Sequence, residues 1–98
     1  MAEERQHKSV ANRLAKKYRA EYNAGKGVDM NTSTKAIEVE TENTVSGGLQ
    51  QLQGFRKPVY IAGTNQETTR KALEKTKGTT IGVMDPYGNI VKRSTRKR

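Results

Sequence analysis

The stretch Ala36-Ile37-Glu38-Val39-Glu40, reached from Gly27-Val28-Asp29-Met30 through the polar turn Asn31-Thr32-Ser33-Thr34, decides how this chain folds. Side chains two apart in a strand share a face, so Ile37 and Val39 project to one side while Glu38 and Glu40 project to the other. Residues 28–30 and 35–41 are therefore expected as short neighbouring strands that carry three carboxylates. Acidic side chains are poor strand formers, and two inside a β-branched run ask for a physical reason. Two reasons are open. A divalent cation takes hard oxygen ligands: Asp29 and Glu38 would bind one Mg²⁺ or Mn²⁺, the Val39 carbonyl would add a ligand, and Glu40 would be a ligand or a base that orients water. Alternatively, Glu38, Glu40 and Glu42 form the solvated face of an edge strand, paired with nearby lysines.

Upstream, Val10, Ala11, Leu14, Ala15, Tyr18 and Tyr22 recur at helical spacing, which predicts a helix over 3–23 with its cations on the remaining faces. Asn23-Ala24-Gly25-Lys26-Gly27 breaks it. Downstream, a loop through Gly47-Gly48 leads to a short helix over 49–55, and Pro58 opens the strand Val59-Tyr60-Ile61-Ala62, apolar on both faces as a central strand is. Thr64-Asn65-Gln66-Glu67 has the pattern of a capping box, predicting a helix over 65–77 that stops at Gly78. Strands at 79–84 and 89–92 flank the tight turn Asp85-Pro86-Tyr87-Gly88. The order of elements predicts a small α/β/α sandwich with one mixed central sheet.

Ninety-eight residues make one domain, here 1–91, followed by a basic tail, 92–98, expected to be disordered until bound. Hydrophobic residues are 32% of the chain and Trp is absent, so the core is thin; sharing it with a second copy, as a homodimer, is the expectation. Without cysteine there is neither a disulfide nor a thiol nucleophile, which fits a cytoplasmic setting. No apolar run is long enough to span a membrane, and no membrane partner is expected. His7 is the single histidine and reads as a surface residue; with no cysteine, zinc-ligand spacings are absent.

Lys+Arg outnumber Asp+Glu by 19 to 10, a formal charge of +9, which points to a polyanion: DNA first, RNA as the other possibility. Lys92, Arg93, Arg96, Lys97 and Arg98 are the cations most specifically arranged for it, since like charges kept together without acids repel one another. Lys26, between two glycines, and Lys35 join them as phosphate contacts close to Asp29 and Glu38. Thr64 and Asn65 open a helix, where free N–H groups take a phosphate or the pair is simply a cap.

A helix, then Gly-Val-Asp, then a hydrophobic Glu-x-Glu, then a glutamine-bearing helix and a buried strand resembles the PD-(D/E)XK, restriction-endonuclease-like nuclease superfamily, whose small members include archaeal-type Holliday junction resolvases. The match runs over roughly residues 3–84 and rests on few of them. It implies a restriction-endonuclease-like fold and a metal-dependent deoxyribonuclease, with Asp29 and Glu38 as the acids. Val28 stands where proline is common, and Glu40 stands where most members carry lysine. That departure leaves Lys35 or Lys57 to supply a migrated cation. Gln51 with Phe55 resembles the Gln-x-x-x-Tyr element that brings a glutamine to the site, with Gln50 and Gln53 competing for that role. Glu4 either matches an acid some members place by the metal or is a helix-start glutamate favouring the dipole. The other expectation is a non-catalytic nucleic-acid-binding module on the same fold, the lysine and its chemistry lost.

Overall fold

The computed structural model describes residues 2–23 and 28–97, with side chains from residue 5 onward. Helix α1 (Ala2–Lys17) buries Val10, Ala11, Leu14 and Ala15 against Ile37, Val39, Tyr60 and Met84 of the sheet. It ends earlier than its periodicity implies. Arg19 takes a left-handed φ of 52°, the Ala20 amide returns to the Ala15 carbonyl at 2.8 Å, and the Tyr18 hydroxyl leaves the helix line to donate to the Gly88 carbonyl at 2.6 Å. Tertiary bonds at Tyr18 thus override the helical pattern that continues to Tyr22.

Strand β1 (Met30–Asn31) pairs antiparallel with β2 (Ala36–Glu40), Met30 opposite Ile37. Helix α2 (Val45–Gln51) carries the chain over to β3 (Val59–Gly63), parallel to β2, and α3 (Gln66–Lys75) carries it to β4 (Gly82–Met84), parallel to β3. Parallel neighbours need such crossovers. Strand β5 (Ile90–Lys92) returns antiparallel, with a register shift at Val83/Met84, giving a five-stranded mixed sheet in the order β1-β2-β3-β4-β5. Alternation divides its core: Tyr60 and Ala62 belong to the cluster under α1, while Val59 and Ile61 belong with Val45, Leu52 and Ala72 beneath α2 and α3. The expected α/β class, three helices and one mixed sheet, is what the described residues adopt.

The second helix begins earlier than expected and takes in both glycines of Gly47-Gly48. The reason is close packing: a Cβ on Gly48 would sit 2.6 Å from Glu40 Cγ, so only glycine lets α2 approach β2 there. The strand expected over 79–84 contracts to Gly82–Met84, because Thr79 turns back to bond the Thr76 carbonyl beyond α3.

The last residue of β5 and those that follow are fastened across the sheet's other end. Buried Ser94 accepts from the Val59 amide at 3.1 Å and donates to the Thr80 carbonyl at 2.8 Å. Arg96 donates to the Leu52 and Phe55 carbonyls, and Lys92 to that of Thr76. This strap passes so close to β4 that a Cβ on Gly82 would meet the Lys92 oxygen and the Ser94 nitrogen at 2.5 Å. Among the described residues, no helix is long and apolar enough to cross a membrane.

Candidate functional site

Asp29 lies just before β1, and antiparallel pairing puts it beside Glu38. Its carboxylate finishes the ladder that the short strand leaves open: Oδ2 accepts from the Val39 amide at 2.8 Å. The same oxygen accepts from His7 Nε2 at 3.2 Å, and His7 Nδ1 lies 3.2 Å from the Tyr22 hydroxyl. With Nε2–H directed at a carboxylate, Nδ1 of the neutral ring is the acceptor for Tyr22. Tyr22, His7 and Asp29 therefore form one hydrogen-bonded chain from α1's flank to the edge of the sheet.

Glu38 and Glu40 leave the opposite face of β2, toward α2. Asp29, Glu38 and Glu40 are 6%, 5% and 8% exposed, so the solvated-face reading of Glu38 and Glu40 does not hold. Burial, followed by a hydrogen bond with the Asp29 carboxyl, pushes Glu38 far above the carboxylate range. Burial would raise Asp29 too, but hydrogen bonds from His7, Glu38 and the Val39 amide outweigh it and hold Asp29 low. The pair thus keeps one proton on Glu38, and Glu38 Oε2 is buried without a partner. Burial pushes Glu40 up to about 7, against a hydrogen bond from Thr44. The hydrogen bond to Asp29 raises the His7 imidazole above its ordinary value.

A hollow of about 430 Å³ beside these acids is lined by Glu38, Glu40, Asn43, Thr44, Gly47 and Gln51. Gln51, at the end of α2, lines the same hollow as Glu38 and Glu40. Val39 enters through its amide, and its side chain packs under α1. Lys35 lies over the Tyr18 ring at 4.7 Å, and Lys57 donates to Asn31 and Thr32 at the far end of β2, so both ammonium groups are engaged away from the acids. Lys26, Arg98 and the Gly25-Lys26-Gly27 phosphate approach lie outside the described residues, as does the side chain of Glu4. Arg93 and Lys97 are exposed, whereas Arg96 and Lys92 are half-buried in the strap.

A Mg²⁺ or Mn²⁺ site needs several hard donors converging on one point. Among the described residues no three His, Asp or Glu side chains do so. The cause is visible in the donors: Asp29 Oδ2 is taken by Val39 and His7, and Glu40 is packed against Gly48 and bonded to Thr44. In this arrangement the acids do not fit the expected ion. Comparisons with protein-family models, with curated proteins and with solved structures returned no match.

His7 is the member of the site that the sequence reading placed on the surface. Its partner Asp29 is 22 residues away, beyond any local pattern. The signal that reveals it is its spacing to Ala11 and Leu14, which sets it on the buried stripe of α1.

Proposed function

We propose that this chain is a basic module that binds nucleic acid, DNA in the first instance, through charge on its outer surface and without metal-dependent chemistry. One observation carries this reading. Three of the ten acids are buried in the carboxyl cluster, so the cationic excess of the sequence is more pronounced on the surface. Among the described residues the surface ion pair is Arg70 with Glu67, at 3.6 Å. The exposed cations of α1 (Arg5, Lys8, Arg13, Lys16, Lys17), together with Arg19, Arg93 and Lys97, therefore have little protein anion to neutralise them. Under this reading the acids are structural: Asp29 replaces a main-chain acceptor at the end of β1 and shares a proton with Glu38. The test is fluorescence anisotropy with labelled duplex, single-stranded DNA and RNA at two salt concentrations. Neutralising about four phosphates predicts an affinity loss of roughly a hundredfold between 50 and 200 mM salt. Undetectable binding at low salt, or binding indifferent to salt, refutes it.

A second reading, metal-dependent cleavage of DNA on a restriction-endonuclease-like fold, is favoured by one specific arrangement. The Asp29 and Glu38 carboxyls touch, and Glu38 Oε2 is an orphan next to a hollow that also holds Gln51. Calorimetry with Mn²⁺ and nuclease assays on linear, flap and four-way DNA, with Asp29→Ala as control, decide it. Metal binding together with cleavage that the variant loses would replace the first reading; no heat and no cleavage dismiss the second.

A further inference from the structure

The carboxyl ends of the parallel strands β2, β3 and β4 come together at one end of the sheet, where open α/β sheets take their ligands. Glu40 closes β2, and its carbonyl accepts from the Thr64 amide at 3.1 Å, the first residue past β3. On the far side of Thr64 from the acid cluster lies a groove of about 460 Å³, bounded by α1, the start of α3 and the turn after β4.

Three features of this groove point to one kind of ligand. The first is the opening of α3, a ten-residue helix capped by Asn65, whose Oδ1 accepts from the Thr68 amide at 2.8 Å. The cap is Asn65 and not Thr64, so Thr64 is released from the capping role its sequence position suggested. Thr64 lines the groove, is 7% exposed, and its Oγ1 has no partner. A buried hydroxyl without a hydrogen bond is costly, and a rotation about χ1 that turns it into the groove would let an acceptor oxygen seated there satisfy it along with the first amides of the helix. The acid in this first turn, Glu67, is exposed and paired with Arg70.

The second feature is cationic. Arg5 and Arg13 line the same groove from α1. Arg13 uses one N–H on the Pro86 carbonyl at 2.9 Å, which leaves most of its donors.

The third is aromatic. Tyr87 stands 63% exposed at the groove's rim. It is held there: its amide and that of Asn89 bond Asp85 Oδ1, Lys17 donates to its carbonyl at 3.2 Å, and the Arg13 guanidinium lies 4.6 Å from the ring centroid. An exposed ring beside an anion cradle is the arrangement that stacks an unpaired base.

We infer that the groove between α1, the start of α3 and the Asp85–Asn89 turn binds one nucleotide of a single-stranded nucleic acid. Its phosphate rests on Thr64, Arg5, Arg13 and the α3 amides, and its base stacks on Tyr87. The inference deepens the nucleic-acid-binding reading and depends on it.

The test is anisotropy titration of a short labelled oligodeoxyadenylate against wild type, Tyr87→Ala, Tyr87→Phe, Arg5→Ala and Thr64→Val, with thermal melts to verify folding. Loss of one stacked base predicts that Tyr87→Ala weakens binding by about five- to hundredfold, whereas Tyr87→Phe stays near wild type. Arg5→Ala lowers the salt slope by about one. Thr64→Val, similar in shape, weakens binding several-fold. If wild type binds with the expected salt dependence but Tyr87→Ala and Thr64→Val bind equally well, the groove is not the site and the general reading survives. If wild type fails to bind any oligonucleotide at low salt, both fall together.

Discussion

Replacing Glu38 by glutamine is expected to stabilise this protein, by an amount that grows with pH. Glu38 titrates near 4.5 when unfolded, but burial and the adjoining Asp29 keep it protonated in the native state well above that value. A carboxyl whose folded pKa is raised contributes stability that is complete below its unfolded pKa and is lost as pH rises toward the folded one. Between about pH 5 and pH 8 the unfolded chain releases this proton and the native state retains it. At 1.36 kcal/mol per pH unit the ceiling is about 4 kcal/mol. Solvent screening and the shared titration bring the expectation to about 2 kcal/mol. The variant Glu38→Gln keeps the shape, offers its amide to the Asp29 carboxylate and has no proton to lose. Glu40, pushed up to about 7, and His7, raised by Asp29, both lose their stabilising contributions with rising pH. They do so in both proteins, so the difference isolates Glu38. Urea denaturation of the two proteins across this range is the assay. A wild-type midpoint that falls faster than the variant's is the expected result. Parallel curves, or a variant that becomes relatively weaker as pH rises, would refute the proton-sharing pair.

Ser94→Ala removes the partner of the Val59 amide and of the Thr80 carbonyl, and should cost about 1–3 kcal/mol in chemical denaturation. Gly82→Ala forces a methyl group onto main-chain atoms of the strap, which cannot swing aside as a side-chain tip can. A loss of about 1–3 kcal/mol, with early hydrogen exchange in β5, is expected. Gly48→Ala presses on Glu40 instead, so a smaller loss should accompany a displaced Glu40 titration, measurable by carboxyl-resolved NMR. Asn65→Ala removes the α3 cap and should lower stability by about 1 kcal/mol in a thermal melt.

The elements were legible where periodicity and local chemistry agreed. The apolar run at Val59-Tyr60-Ile61-Ala62 read as a central strand because both its neighbours bury it, and Asp85-Pro86-Tyr87-Gly88 read as a turn because Asp85 caps it locally. What misled was long-range. Gly47-Gly48 argued against helix on propensity alone, yet the approach to Glu40 requires glycine within α2. The aromatic spacing through Tyr22 extended α1 on paper, while Tyr18 and Tyr22 in fact turn away to Gly88 and His7. At the site, alternation correctly put Glu38 and Glu40 on one face. It did not disclose that α2 would cover that face, or that Asp29 would spend an oxygen on the Val39 amide. Those facts are set by packing between elements far apart in the chain.

The strap at the end of the chain also orders events in time. Ser94 reaches back 35 residues to Val59, and Arg96 reaches 44 to Leu52. Loops of that length close late in folding, because their ordering entropy must be met before their bonds return anything. Until then the connection from α2 into β3 lacks its last hydrogen-bond partners, and the segment from Leu52 to Val59 is where a protease would catch a newly made chain.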